Sequence, residues 1–271
     1  MWSVREGALY WLDGRRDAIY RLDPRSGARA SWATPSKVNA LGLRSDGLIV
    51  AMKSGIALLD TATGIFTPVV DPEPERPNTR MNDGKVDRAG RFWFSTMHDD
   101  AAEPIGRLYR LSPDYALAQI DDGFTIPNGF AWSPDNRTMY VSETKLCTIY
   151  AYAFDLDSGE ARDRRTFVER TVKGAPDGAT TDTQGYVWSA CVGGFALARY
   201  APDGSVDRIV ELPVQRPTSV IFGDDDLRTL YVTTATRGLS PEQLEAQPRA
   251  GAILSLRVDV PGLPEPEFSG R

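Results

Sequence analysis

The sequence has little of the chemistry that thiols and imidazoles supply. Its 271 residues hold two cysteines, Cys147 and Cys191, and one histidine, His98. Two thiols can form at most one bridge, which excludes a disulfide-stapled scaffold and points to buried thiols in a reducing compartment. A single histidine excludes a His-His dyad and weakens any Ser-His-Asp arrangement. No run of about 18 apolar residues is present to cross a membrane, and Met1 to Arg15 contains no apolar stretch resembling a signal peptide; a cytoplasmic protein with no membrane partner is expected. Runs of Lys and Arg are also missing. With 31 basic against 37 acidic residues, a formal charge of −6, the chain repels phosphate backbones, so nucleic acid is not an expected partner. Helix signals are sparse as well, whereas 24 glycines and 19 prolines suit many short strands joined by tight turns.

What the sequence does have is a repeat. Segments beginning at Gly7 (GALYWLD), Gly47 (GLIVAMK), Gly90 (GRFWFST), Arg137 (RTMYVSE), Gly185 (GYVWSAC) and Arg228 (RTLYVTT) each read as a turn residue followed by an alternating aromatic and aliphatic strand. A second strand of the same character follows each, as in AIYRLDP, RLYRL and TIYAYAFD, and a shorter one precedes it, ending in a polar turn such as KVDRAG or FAWSPDN. With one outer strand added per unit, four strands recur every 45 or so residues, which is the composition of a propeller blade. The expected fold is all-β: one six-bladed β-propeller domain over residues 1–271, with four-stranded antiparallel blades and a first blade incomplete at the N-terminus. A closed propeller has few strand edges that need a partner, so a monomer is expected. One helix is expected, over Ser240 to Gln247. There Ser240 is the N-cap, Pro241 the first helical residue and Gln243 the partner of a capping box, and the helix interrupts the sixth blade. The proline-rich stretch Pro68 to Pro77 reads as an inter-blade loop.

In a propeller the first strand of each blade lines the central channel, so the start of that strand is where side chains are brought together. Counting back eight residues from the turns gives Asn39, Asn82, Asn128, Asp177 and Thr218 at one register. Asn-Gly and Asp-Gly are turn dipeptides in their own right, but their recurrence at a fixed register points to a functional ring. Amide and carboxylate oxygens without thiolates suit a hard divalent cation such as Ca²⁺, Mg²⁺ or Mn²⁺, with Zn²⁺ or Fe²⁺ less natural. His98 follows the strand FWFSTM and reads as a loop histidine.

Five stretches, RMNDGKVDRAGRFWFSTM, IPNGFAWSPDNRTMYVSET, APDGATTDTQGYVWSACVGG, RPTSVIFGDDDLRTLYVTTA and GLSPEQLEAQPRAGAIL, resemble in order and spacing the SMP-30/gluconolactonase family, the likeness running from about Gly7 to Leu256. The resemblance implies a six-bladed propeller that hydrolyses sugar lactones with one divalent metal ion, calcium favoured over manganese, magnesium, zinc or iron. It implies Asn128 and Asp177 as metal ligands, Asp177 also as the catalytic base toward water, and Arg80, Asn82 and Asp100 as substrate-binding residues. The family's third ligand is a glutamate four residues before a tryptophan. Aligned on Trp2, that glutamate falls three residues before Met1, outside this chain, and Glu6, in the following turn, is a poor substitute. Glu143 stands where the family has aspartate. The alternative reading is a metal-binding or ligand-sensing propeller without catalysis.

Overall fold

A computed structural model describes residues 1–270, which form 24 strands and one short helix. The strands fall into six sheets in chain order, the architecture of a six-bladed β-propeller. The contacts divide into two compact units. The first holds Met1–Pro127 with Leu156–Gly159 and Pro264–Arg271, and the second holds Asn128–Asp155 with Glu160–Leu263.

In the first unit, sheet one comprises Trp2–Ser3, Ala8–Asp13, Ala18–Leu22 and Arg29–Ala33 (β1 to β4). Its innermost strand is only two residues long. Sheet two comprises Val38–Arg44, Gly47–Met52, Gly55–Asp60 and Phe66–Val70 (β5 to β8), and sheet three Thr79–Val86, Phe92–His98, Gly106–Leu111 and Leu117–Phe124 (β9 to β12). In the second unit, sheet four comprises Pro127–Trp132, Thr138–Glu143, Thr148–Asp155 and Glu160–Glu169 (β13 to β16), with Pro127 itself counted in the first unit. Sheet five comprises Ala175–Thr181, Val187–Val192, Ala196–Tyr200 and Val206–Glu211 (β17 to β20). Sheet six has Pro217–Gly223, Thr229–Thr234 and Leu254–Arg257 (β21 to β23), with α1 over Pro241–Ala246 between the last two strands. The remaining strand, Glu267–Phe268 (β24), pairs in parallel with β5.

The alternation seen in the sequence buries one row of side chains against each neighbouring sheet. Tyr10 and Ile19 pack with Leu48 and Val50, whereas Ile49 and Ala51 pack with Phe92, Phe94 and Tyr109. Tyr140 and Ile149 meet Val187 and Tyr200, and Trp188 and Leu197 meet Leu230 and Val232. Turns are fixed locally. In the β3–β4 and β7–β8 hairpins, Asp23 and Asp60 accept main-chain hydrogen bonds from the two residues that begin two positions on, and a glycine with φ above +70° completes each turn.

Three sequence expectations need correction. The sixth sheet has three strands, not four: Pro261, Pro264 and Pro266 remove the donors a further antiparallel strand would need, and the chain runs on to pair with β5 instead. Sheet two consequently has five. Cys147 is half-buried; only Cys191 is fully buried, and burial pushes its thiol up to about 11. The helix is as expected, with both hydrogen bonds of the capping box between Ser240 and Gln243. Among the described residues no helix is long and apolar enough to cross a membrane.

A buried aspartate just after the inner strand recurs in both units. Asp87 Oδ2 accepts from Arg91 Nε at 2.7 Å and the Trp93 indole at 2.8 Å. Asp182 Oδ2 accepts from the Trp188 indole at 3.0 Å and from Arg199 at 2.9 and 2.7 Å. Removing such a carboxylate leaves a buried cation and an indole N–H unpaired, a loss of about 3–5 kcal/mol. Asp182→Ala is therefore expected to lower the unfolding free energy by that amount, read from urea denaturation, while Glu160→Ala, at an exposed ion pair, leaves it unchanged. At pH 8, a thiol reagent is expected to leave Cys191 unmodified until the protein is unfolded.

Candidate active site

The five residues picked by register occupy one structural position. Asn39, Asn82, Asn128, Asp177 and Thr218 lie near the start of β5, β9, β13, β17 and β21. In four of these strands the pairing slips there. Val38 pairs with Met52 and Ala40 with Ala51, so Asn39 is an extra residue. Met81 pairs with Thr96 and Gly84 with Phe94, which leaves one extra residue at Asn82-Asp83. Pro176 pairs with Cys191 and Ala179 with Ser189, which places it at Asp177-Gly178. Pro217 pairs with Thr234 and Ser219 with Thr233, making it Thr218. A bulge re-aims the side chain at the point where strict alternation would turn it to one face of the sheet.

In the second unit, the Asn128 amide donates to Thr144 Oγ1 at 2.7 Å, and Thr144 donates to the Pro176 carbonyl at 2.7 Å. This relay uses one of the amide's two N–H donors on Thr144 and ties Asn128 to the residue preceding Asp177. Gly129 stands at φ +59°, and a Cβ there would strike the Asp177 carbonyl and the Ser142 side chain. Only glycine lets β13 and β17 approach this closely. Asn128 is 7% exposed and Asp177 is half-buried. The amide oxygen of Asn128 and the carboxylate of Asp177 are both donors of the hard type. Such donors fit a cation that keeps water on its remaining positions and do not fit a thiolate- or imidazole-bound metal. Among the described residues no group of three or more His, Cys, Asp and Glu side chains is placed to hold a metal ion.

In the first unit, Arg80 Nη1 donates to Asn82 Oδ1 at 2.8 Å and to the Met81 carbonyl at 2.9 Å. Asn82 donates in turn to the Pro127 carbonyl at 2.9 Å, which Ser95 also contacts at 3.1 Å. Asn82 is thus a rigid link between the guanidinium and the head of β13. Asp100 is exposed, and its N–H is accepted by His98 Nδ1 at 3.1 Å. Its neighbour Asp99 pairs with Lys53 at 2.5 Å. Glu143 is 1% exposed and accepts from the Lys145 N–H, which closes the turn after β14. Glu6 accepts from Tyr10 at 2.7 Å and Arg21 at 3.0 Å, so its carboxylate belongs to the first sheet's own packing.

The SMP-30/Gluconolactonase/LRE-like region matches residues 1–236. The chain belongs to that family. Among family relatives, a 6-deoxy-6-sulfogluconolactonase of Pseudomonas putida is 38% identical over 273 residues, covering 100% of this chain and 94% of its own. A pentonolactonase of Haloferax volcanii is 35% identical over 275 residues, 99% of this chain and 92% of its own. The crystal structure of a calcium-binding regucalcin from Agrobacterium tumefaciens superposes with a TM-score of 0.94 at 28% identity, covering 98% of this chain and 91% of that one. Register counting reaches Asn128 and Asp177 but misses Thr144, the middle of the relay. Its only sequence signal is a hydroxyl residue at the end of the strand YVSET.

The close approach at Gly129 can be tested against Gly123, which has φ +82° and open space around it. Gly123→Ala is expected to cost about 1 kcal/mol, from backbone conformation alone. Gly129→Ala adds overpacking against backbone and should cost about 2–5 kcal/mol. Equal shifts in the urea midpoint would contradict the reading.

Proposed function

We propose that this chain opens aldonolactones to aldonic acids, with a divalent cation held by Asn128 and Asp177. The broader statement, that it is a carboxylic ester hydrolase of the sugar-lactonase type, follows from membership of the family and from relatives named as lactonases. The observation that carries the finer reading is the relay from Asn128 through Thr144 to the Pro176 carbonyl, which fixes an amide oxygen donor by way of the residue next to Asp177.

When bound, the cation supplies Lewis acidity to the lactone carbonyl and lowers the pKa of a water. Asp177 acts as general base, taking the proton from the water whose oxygen attacks the carbonyl carbon, a transfer typically worth about 10²- to 10⁴-fold. As the tetrahedral centre collapses, the ring C–O bond breaks and the proton passes to the departing ring oxygen, which becomes a hydroxyl of the open acid. Arg80 and Asn82 orient the sugar and counter the negative charge on the former carbonyl oxygen. Arg80 suits that role because its planar fork, held by Asn82 and the Met81 carbonyl, does not have to be ordered when substrate arrives. Asp100, exposed near the start of the loop after β10, accepts from sugar hydroxyls.

Acid release from glucono-, xylono- and arabinolactone, followed with and without EDTA, tests the proposal. Turnover is expected to disappear with chelator and return with Ca²⁺ or Mn²⁺. Asp177→Ala should lose at least about 10²-fold in kcat/KM and should no longer bind metal in a calorimetric titration. Full turnover in that variant would end the assignment. Metal binding by the parent chain without turnover of any lactone would favour a ligand-sensing propeller.

A further inference from the structure

We infer that Glu73, in the proline-rich loop ahead of β9, is the positioning residue for Arg80 and Asn82. The inference rests on the proposal that those two residues hold the lactone. Loop carboxylates are ordinarily solvated, but the Glu73 side chain is 4% exposed. Such burial is tolerated only when the oxygens are fully hydrogen-bonded. They are. Glu73 Oε1 accepts from Arg76 Nη1 at 2.5 Å, Tyr109 OH at 2.9 Å and Thr96 Oγ1 at 3.1 Å, and Oε2 accepts from Thr79 Oγ1 at 2.5 Å.

Two of these donors bracket Arg80. Thr79 is the residue before it on β9. Thr96 lies opposite Met81, the residue after it, and Arg80 itself pairs with Met97. One carboxylate therefore grips both strands of the pair immediately before the bulge that carries Asn82. The loop that delivers it is stiff, with Pro72 and Pro74 on either side of Glu73. The Glu73 N–H is accepted by Asp71 Oδ1 at 3.0 Å, and its carbonyl accepts from the Arg76 N–H at 2.9 Å. Burial, reinforced by the Glu73 carboxylate, holds the Tyr109 phenol above its ordinary pKa, in keeping with a desolvated cluster. A carboxylate, which only accepts, matches four donors. A glutamine would turn an N–H toward one of them.

The test separates positioning from bulk stability. In Glu73→Gln, amide hydrogen exchange over Thr79–Asp83 is expected to quicken about 10-fold, with β13 and β17 unaffected. kcat/KM for the lactone should fall about 10-fold, through a raised KM and a lowered kcat, and metal affinity should not change. Glu73→Asp, which keeps the charge on a shorter stem, should recover part of the loss. Thr79→Val removes only the donor beside Arg80 and should raise KM, whereas Tyr109→Phe removes the donor from β11 and should not. The pair remains informative if the glutamine variant does not fold. Unchanged exchange at Thr79–Asp83 in Glu73→Gln overturns the inference, and so do equal KM effects in Thr79→Val and Tyr109→Phe. If the parent chain opens no lactone, the functional proposal fails, and the exchange measurement still decides whether Glu73 fixes this segment.

Discussion

The candidate site depends on one extra residue near the head of four inner strands, β5, β9, β17 and β21. Strand alternation gives a side chain two choices, and in a stack of sheets both lead into apolar packing, as the buried Val38 and Ala40 on either side of Asn39 show. A polar side chain forced into that packing without partners costs roughly 1–3 kcal/mol. The bulges at Asn39, Asn82-Asp83, Asp177-Gly178 and Thr218 remove these positions from the alternation. The core then keeps its period of two, and the polar residues are set apart from it. Stability and function are thereby written on different residues of the same strand.

A second constraint works through proline. Pro127, Pro176 and Pro217 precede Asn128, Asp177 and Thr218 at the heads of β13, β17 and β21. Having no N–H, a proline there can take part only through its carbonyl. In the first unit the Pro127 carbonyl accepts from Asn82 and Ser95, and in the second the Pro176 carbonyl accepts from Thr144, itself held by Asn128. The polar residue of one repeat therefore anchors, directly or through a threonine, the head of the strand that carries the next. Asn82 and Asn128 are therefore fasteners as well as members of the candidate site.

The fold and the register were legible because both are periodic. Six aromatic-aliphatic strands behind turn residues define the sheets, and eight residues counted back from each turn reach Asn39, Asn82, Asn128, Asp177 and Thr218. What periodicity could not convey was pairing. The bulges exist only as a mismatch between two strands, so nothing local to Asn82 or Asp177 announces them. Thr144 and Glu73 escaped for the same reason: their roles depend on partners 16 to 36 positions away in the chain. Glu73 was further hidden in a run of prolines that reads as a connector. The limit of the sixth sheet to three strands is visible in Pro261, Pro264 and Pro266, against the expectation of four strands per repeat.

Aspartate shows how one residue type is divided among incompatible tasks. Asp87 and Asp182 have fully buried side chains, and their oxygens are saturated by arginine, indole and main-chain donors, so they hold the sheets and are closed to ligands. Asp23 and Asp60 are spent on hairpin turns at the surface. Asp177 differs from all four. It sits on a bulge, half-buried, one residue after a proline carbonyl held by Thr144. Its backbone is fixed while its side chain stays within reach of solvent. In the proposed role, where one carboxylate binds a cation and moves a proton, that combination helps, because a mobile backbone would spread the ligand positions beyond what a single ion can bridge.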